Sequence, residues 1–181
     1  MGSAKLAVIT EEARSFSADR GPAGQVFSGN FASVRTTVRL LQAQGLEADL
    51  FIISSVYGLI PADHMIKRYD PDVRSLARSN LPVLVSRKLT EILRQYQEVV
   101  FMLSTPYAVL TANALREPAK ANPANSRPRL FVVSGSSGAD ALISVLQTYA
   151  SEVRVFQKPG VARITSQARA EILRSVLMPR G

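Results

Sequence analysis

Short runs of apolar residues alternate along this chain with longer segments of helical periodicity, and this alternation limits the fold more than any other feature. The segments between the runs place apolar residues every three or four positions, as amphipathic helices do. Strands that alternate with helices favour a parallel sheet with helices on both faces. We therefore predict an α/β fold with a mostly parallel central sheet of about five strands. The predicted strands are Lys5–Thr10, Asp49–Ser55, Glu98–Ser104, Arg129–Ser134 and Glu152–Phe156.

The remaining segments divide into predicted helices and predicted loops. Asn30 is a candidate N-cap, and Gly45 follows the first helical pattern. A chain of 181 residues is expected to form one domain over 1–181, with 1–4 disordered or derived from a tag. The segment 116–128 contains three prolines and is predicted to be a surface excursion. The predicted helices are 31–44, 81–96, 106–115, 136–150 and 165–177, and the predicted irregular segments are 11–29, 56–80 and 116–128.

The composition excludes several kinds of site. The chain has no cysteine and one histidine, His64, so it cannot form a disulfide, a thiol nucleophile or a multi-histidine metal site. Its glycine-rich stretches match neither a Walker A loop nor the dinucleotide fingerprint. We therefore predict neither a metal nor a cofactor. His64 is interpreted as a solvated loop residue, with proton transfer as the alternative, and three Asp in its loop leave Mg²⁺ binding as a further alternative.

The net charge of +8 lies entirely in residues 61–181, which carry seventeen basic and nine acidic side chains. This imbalance favours an anionic partner such as nucleic acid, a nucleotide or phosphate, and solubility alone is the alternative. No run is long enough to predict a membrane span or a targeting segment, so a cytoplasmic location is expected. The oligomeric state is left open, with a homo-oligomer as one option.

The predicted topology places the carboxyl ends of the strands along one edge of the sheet. Ligands of open α/β sheets bind at that edge. The loops that follow Thr10, Ser55, Ser104 and Ser134 are therefore expected to converge.

The loop after the second strand carries the most informative group of candidate residues. Two serine hydroxyls end the strand, an aromatic residue follows, and a glycine permits a close backbone approach. Further on, a cation, an aromatic ring and a carboxylate stand side by side, which is the set that a nucleotide or nucleobase site needs. The alternative is a capped strand and a turn at Asp70-Pro71. The candidates are Ser54, Ser55, Tyr57, Gly58, Arg68, Tyr69 and Asp70.

Two other strand ends carry candidate ligand-binding residues. The fourth strand runs through a Gly/Ser turn into a helix, whose first amides are predicted to bind phosphate or ribose. Tight packing and helix capping are the alternative there. Tyr107 opens the helix after the third strand and is predicted to stack on a base, with a core tyrosine as the alternative. The candidates in the Gly/Ser turn are Ser134, Gly135, Ser136, Ser137 and Gly138.

One segment of the chain resembles the core motif of the bacterial YaaA family and its shorter relatives. It consists of a strand, the sequence Ser-Ser-x-Tyr-Gly-Leu-Ile-Pro and, further on, Tyr69-Asp70. Ser28, Gly29 and Asn30 lie in a segment similar to the upstream Tyr-x-Gly-x-x-Phe element of those relatives. The motif is also similar to the uracil-DNA-glycosylase-like domain of archaeosine synthase. The resemblance covers roughly residues 5–110 and, more loosely, 129–148. The chain lacks the lysine beside the motif tyrosine and has no counterpart of the helix-hairpin-helix segment.

The resemblance implies a role linked to nucleic acid, because YaaA proteins are associated with DNA binding and the archaeosine synthase relative acts on a modified base in RNA. One interpretation is an enzyme acting on an N-glycosidic bond, with Tyr57 and Tyr69 bordering the base, Asp70 stabilising the reacting centre and Arg68 holding phosphate. The second is a non-catalytic DNA- or RNA-binding stress protein that uses the same cleft. The third is a small-molecule nucleotide or sugar-phosphate transferase that uses only the Gly/Ser turn.

Overall fold

The computed structural model describes residues 5–78, 81–120, 127–157 and 166–178. Within these ranges the chain forms one six-stranded sheet and one two-stranded sheet, flanked by helices. The strands are β1 (Lys5–Glu11), β2 (Arg20–Pro22), β3 (Glu47–Ser54), β4 (Gly58–Pro61), β5 (Met65–Lys67), β6 (Glu98–Met102), β7 (Arg129–Ser134) and β8 (Glu152–Gln157). The helices are α1 (Ala23–Val26), α2 (Phe31–Ala43), α3 (Val73–Arg78), α4 (Leu81–Gln95), α5 (Thr105–Lys120), α6 (Ser136–Leu146) and α7 (Ser166–Leu177).

Helices cover both faces of the large sheet, as the alternation predicts. Side chains of a strand point alternately to the two faces. On β1, Ala7 and Ile9 therefore pack with α4, α5 and α6, while Leu6 and Val8 pack with α2 and α7. The predicted α/β fold with a mostly parallel central sheet is confirmed.

The strand order of the large sheet defines where a ligand crevice lies. The order is β4-β3-β1-β6-β7-β8, and all neighbours except β4 and β3 are parallel. Taken in chain order, the five parallel strands are arranged 2-1-3-4-5, so the chain reverses direction across the sheet between β1 and β6. Open sheets of this order bind ligands outside the carboxyl ends of the strands at that reversal.

Two segments predicted as irregular contain short regular elements. The segment 11–29 holds β2 and α1, and the segment 56–80 holds β4, β5 and α3. β2 and β5 pair antiparallel to form the small sheet, and β4 adds an antiparallel edge to β3. Three-residue strands show no periodicity in the sequence, and their pairing depends on contacts across more than forty positions of the chain. The prediction of about five strands therefore falls one short for the main sheet.

The predicted helix 106–115 ends too early. α5 continues through residue 120, whereas 121–126 lie outside the described residues, as do 1–4 and Thr165. Leu115 is buried, and its carbonyl accepts a hydrogen bond of 3.1 Å from Tyr149 Oη, which joins α5 to the segment that follows α6. In the parts of the chain that the structure describes, no helix combines the length and apolar character needed to cross a membrane.

Candidate functional site

A cavity of about 660 Å³ lies at the reversal point between β1 and β6. The loops that follow β1, β6 and β7 converge on it, as the sequence predicts. The loop that follows β3 contributes only its later part, residues 71–74. The lining consists of 10–15, 71–74, 102–107 and 133–135, together with Ser28, Asn30, Phe31 and Val34.

Glu11, the last residue of β1, presents a carboxyl group to this cavity. Its Oε1 accepts a hydrogen bond of 2.6 Å from the backbone N–H of Ser104, and its Oε2 lies 2.6 Å from Ser104 Oγ. Burial outweighs these bonds and, with a smaller contribution from neighbouring Glu12, raises the pKa of Glu11 to about 7. The group can therefore hold or release a proton near neutral pH.

Glu12 accepts three hydrogen bonds and is buried. Its Oε2 accepts one of 2.9 Å from the backbone N–H of Ser55 and another from the hydroxyl of Tyr69. Its Oε1 accepts one of 2.5 Å from the hydroxyl of Tyr107. Burial, and then the adjacent carboxylate, raise the pKa of both tyrosines above the usual range. Glu12 therefore ties the loop after β3 and the start of α5 to the end of β1.

The two motif serines extend this network beneath the cavity. Ser54 Oγ lies 2.6 Å from Tyr69 Oη and accepts a hydrogen bond of 3.1 Å from the backbone N–H of Tyr57. Ser55 Oγ accepts one of 3.1 Å from the backbone N–H of Asp72. Both serines are buried and lie outside the lining. Ser55 fixes the position of the 71–74 segment through its bond to Asp72.

The tyrosines at 57 and 69 pack against each other and do not form a slot for a base. Their rings meet edge to face at 5.8 Å, and Tyr69 also contacts the rings of Phe16 and Phe27. The hydroxyl of Tyr57 accepts a hydrogen bond of 3.3 Å from the backbone N–H of Lys67. Neither tyrosine lines the cavity, so this placement gives no support to the base-bordering role predicted for them.

Gly58, Arg68 and Asp70 also lie outside the lining. Gly58 has a φ of 77° in the turn that joins β3 to β4, a conformation that favours glycine. Exposed Arg68 pairs at 3.2 Å with Asp19, and its side chain is 58% exposed. Asp70 is exposed as well. The structure thus separates the carboxylate and cation predicted for catalysis and phosphate binding from the cavity.

The Gly/Ser turn meets the cavity through its first two residues, Ser134 and Gly135. Gly135 is the N-cap of α6 and provides no side-chain cap, and exposed Ser136 and Ser137 form the first turn. The Oγ of Ser134 is buried and has no hydrogen-bond partner among the described residues. Gly138 is buried against it: a Cβ there would collide with that Oγ and come within 3.1 Å of Thr105 Cα.

The segment 28–30, which is similar to the upstream element of the YaaA relatives, also reaches the cavity. Ser28 and Asn30 line it, and Gly29 lies between them with a φ of 65°. The backbone N–H of Ser28 donates a hydrogen bond of 2.9 Å to the carbonyl of Ser15, which places this element beside the segment after β1. Asn30 is the N-cap of α2 as predicted, although its side chain makes no capping bond.

Sequence reasoning missed several residues of the site, among them two acidic residues, two arginines and a serine. Glu11 and Glu12 fell into a segment interpreted as a polar loop, although two consecutive acidic residues directly after a buried strand were a usable signal at the predicted edge. Arg14 and Arg74 gave no local signal, because their positions at the cavity depend on the fold. Ser104 ended a predicted strand at the expected edge, but it was not singled out as a candidate.

The acidic side chains do not form a metal centre. Among residues 5–78, 81–120, 127–157 and 166–178, no cluster of three or more Asp, Glu and His side chains has the geometry to hold an ion. Around the cavity, Glu11 and Glu12 are instead engaged by hydroxyl and amide donors.

No protein-family model and no curated protein matches this chain. Among solved structures, the VWA domain of SpRpn10 is similar, with 9% sequence identity and a TM-score of 0.40 over 89% of this chain and 92% of that chain. A similarity of this size carries no inference about function.

Proposed function

We propose that the cavity binds a nucleoside monophosphate unit, either as a free nucleotide or as part of a nucleic acid strand. The first turn of α6 receives the phosphate in this proposal. The observation that carries it is the buried Ser134 hydroxyl, which has no partner among the described residues and lies beside that turn.

The phosphate position follows from the chemistry of a helix start. The first amides of a helix have no partner within the helix, and the helix dipole adds positive potential there. Gly135 supplies no side-chain cap to α6, so an oxyanion can take that role. The Ser134 hydroxyl adds a side-chain donor at the same place.

Positive charge around the cavity supports an anionic ligand. Arg14 and Arg74 line the cavity and are exposed, beside the acidic residues Glu11, Glu12 and Asp72, and the whole chain carries a net charge of +8. Such a field concentrates anions near a cleft and speeds their association. Arg14 follows β1 and Arg74 belongs to α3, so the two side chains reach the cavity from segments that are far apart in the chain.

The size and lining of the cavity fit a nucleoside. Small-molecule sites usually measure about 300–1,000 Å³ and combine apolar walls with a few polar groups. Here Phe31 and Val34 supply apolar surface, and Ser28, Asn30 and Glu11 supply hydrogen-bonding groups for a base or ribose. The resemblance to YaaA-like proteins and to the archaeosine synthase domain implies the same class of ligand.

Calorimetric titration tests the proposal directly. The probes are AMP, GMP, CMP, UMP, ribose 5-phosphate and inorganic phosphate. We expect at least one nucleotide to bind more tightly than phosphate alone. The Ser134→Ala variant should raise the dissociation constant of that nucleotide by about tenfold, because it removes a hydrogen bond to a charged group.

Two arginine variants of equal net charge separate local from overall electrostatics. Arg74→Ala should weaken binding by about fivefold, as the loss of a partly exposed charge pair does. Arg39→Ala on the exposed side of α2 should leave the affinity within about twofold. The proposal fails if no nucleotide binds, or if both arginine variants weaken binding equally and Ser134→Ala does not.

A second titration, with an oligonucleotide, shows whether the nucleoside monophosphate that binds is a free nucleotide or part of a nucleic acid strand. A ten-residue single strand that binds with a steep dependence on salt would favour a nucleic acid, because counterions are released at each phosphate contact. Tight binding of mononucleotides with a shallow salt dependence would favour the free ligand. If ribose 5-phosphate binds as tightly as any nucleotide, the base is not recognised and the nucleotide assignment is wrong.

A further inference from the structure

We propose that the chain forms a homodimer in which the open edge of β8 pairs antiparallel with the β8 of a second copy, with Val153 of each copy facing its counterpart. The inference is independent of the proposed function, because β8 lies at the end of the large sheet and the cavity lies at the reversal between β1 and β6. A second copy is the partner that the charges of this strand fit.

β8 is an unprotected edge strand. It is the last strand of the large sheet, and in the described parts of the chain it pairs with β7 alone. All six residues of β7 are buried, whereas residues 152–156 of β8 are partly exposed. The sequence of β8, EVRVFQ, contains neither the lysine nor the proline that commonly keeps an edge from pairing. Such a strand offers a row of backbone N–H and C=O groups to another strand.

The opposite edge of the sheet is protected. β4 has only four residues, of which the first three are buried, and it ends at Pro61. Proline has no backbone N–H to donate to a neighbouring strand. Pairing with another sheet is therefore expected at β8 and not at β4.

Apolar side chains lie beside the open edge of β8. A groove of about 420 Å³ separates this strand from α7, and Val155, Phe156 and Met178 contribute apolar surface to it. Met178 is 49% exposed and follows Leu177, which is 47% exposed. Exposed apolar surface with a polar rim is typical of interaction sites, and Glu171 and Arg174 supply polar groups to this groove.

Symmetry limits how two β8 strands can pair. Two antiparallel copies of one strand in a continuous sheet are related by a two-fold axis normal to the sheet, so one residue lies opposite its own counterpart. The axis also keeps the faces that α7 covers on the same side. Glu152 and Arg154 are two positions apart and therefore point to one face of the sheet. That face is the one that α7 covers, because Arg154 Nη1 donates a hydrogen bond of 3.2 Å to Ser175 Oγ.

The charges of β8 select Val153 as the residue on the axis. An axis at Arg154 would place two guanidinium groups opposite each other, which destabilises a strand pair. An axis at Val155 would place Arg154 opposite Phe156 and leave Glu152 without an opposite charge. An axis at Val153 places Glu152 of each copy opposite Arg154 of the other, which is favourable at both positions.

The ion pair within each copy is compatible with this register. Glu152 Oε1 accepts a hydrogen bond of 2.5 Å from Arg154 Nε, and the two side chains remain 41% and 39% exposed. The second oxygen of the carboxylate and the remaining N–H groups of the guanidinium can therefore serve the other copy. The dimer joins the two ion pairs into one cluster of four alternating charges.

The register also determines the strength of the dimer and the position of the cavities. Pairing extends over residues 151–155 of each copy, and so small an interface is typical of weak, reversible association. Strand direction is reversed between the copies, so their two cavities open at opposite ends of the strands. Ligand binding and dimer formation therefore do not compete.

Oxidative crosslinking tests the register. The chain has no cysteine, so a single introduced cysteine can pair only with its counterpart in another copy. Val153→Cys should form that disulfide, because opposed Cα atoms of antiparallel strands lie about 4.5–5.5 Å apart. Val155→Cys is the matched control on the same face, since its two copies would lie about 13 Å apart along the strands. We expect Val153→Cys to crosslink at least about tenfold faster at equal concentration on non-reducing gels.

Charge exchange tests the selection of Val153 independently. Sedimentation equilibrium measures the dissociation constant of the dimer, which Glu152→Arg and Arg154→Glu should each raise at least about tenfold because two attractive pairs become repulsive. The double variant Glu152→Arg/Arg154→Glu should return the dissociation constant to within about threefold of wild type. Glu91→Arg makes the same charge change on the exposed side of α4 and should leave it within about twofold.

The two experiments give clear contrary results. A protein that stays monomeric at every concentration, or equal crosslinking through Val153→Cys and Val155→Cys, would overturn the inference. A double charge variant that associates as weakly as the single variants, with its circular dichroism spectrum unchanged, would overturn it as well. None of these results bears on nucleotide binding, so the proposed function would stand.

Discussion

Glu11 and Ser104, which are 93 positions apart in the chain, are joined at the sheet edge by two contacts of 2.6 Å. One joins the carboxylate to a backbone amide and the other joins it to a hydroxyl. They link the end of β1 to the start of α5 across the point where the strand order reverses. This contact places a protonatable carboxyl group at the crevice where open α/β sheets bind ligands.

The first prediction concerns stability and pH. The pKa of Glu11 rises from 4.5 to about 7 on folding, so between these values the folded chain binds more protons than the unfolded chain. Stability contributed by this group is therefore present at low pH and is lost as the pH rises through about 7. Relative to Glu11→Gln, wild type should lose about 2 kcal/mol of unfolding free energy between pH 5 and pH 8. Urea denaturation at both pH values measures this, and parallel profiles for the two proteins would show that the carboxyl group is not buried as described.

The second prediction concerns the packing of α6. In an exposed helix, replacing glycine by alanine stabilises by up to about 1 kcal/mol. Gly138→Ala should instead destabilise by about 1–3 kcal/mol, because the new methyl would collide with Ser134 Oγ and approach Ala108 Cβ to 3.0 Å. Removing the hydroxyl in Ser134→Ala/Gly138→Ala should recover part of this loss in a denaturation experiment. A stabilising Gly138→Ala would mean that α6 and α5 are less closely packed.

The third prediction compares two tyrosine hydroxyls. Tyr69→Phe removes a hydrogen bond to the Glu12 carboxylate and should lower stability by about 1.5–3 kcal/mol. Tyr57→Phe removes only an exposed 3.3 Å bond and should change stability by less than about 0.5 kcal/mol. Both variants delete one oxygen atom, so each controls for the other. Equal effects in thermal unfolding would contradict the assignment of Glu12 as the centre of the network.

The sequence predicts the architecture because the parallel strands and long helices carry strong periodicity. All five predicted strands and all five predicted helices occur within a few residues of their expected bounds in the described ranges. The short strands β2 and β5 were not predicted, since a three-residue strand forms only through pairing with its partner strand. β4 was not predicted because a turn signal at Gly58 does not show that the chain folds back on β3.

The site was only partly predictable for a related reason. Ser134 and Gly135 follow a strand and open a helix, so topology alone places them at the edge. Tyr69 and Asp70 are neighbours in sequence, yet one is held in the aromatic cluster and the other is exposed, and no local pattern separates them. Glu11 is held at the cavity by its contacts with Ser104, which is remote in the chain, so no local pattern identifies it.

A crystal structure of the protein with the tightest-binding nucleotide tests the central claim most directly. We predict that the phosphate lies within hydrogen-bonding distance of the Ser134 hydroxyl and the first amides of α6, with the sugar between that turn and Glu11. A nucleotide bound instead beside Tyr57 and Asp70, with the cavity at the end of β6 unoccupied, would contradict the account.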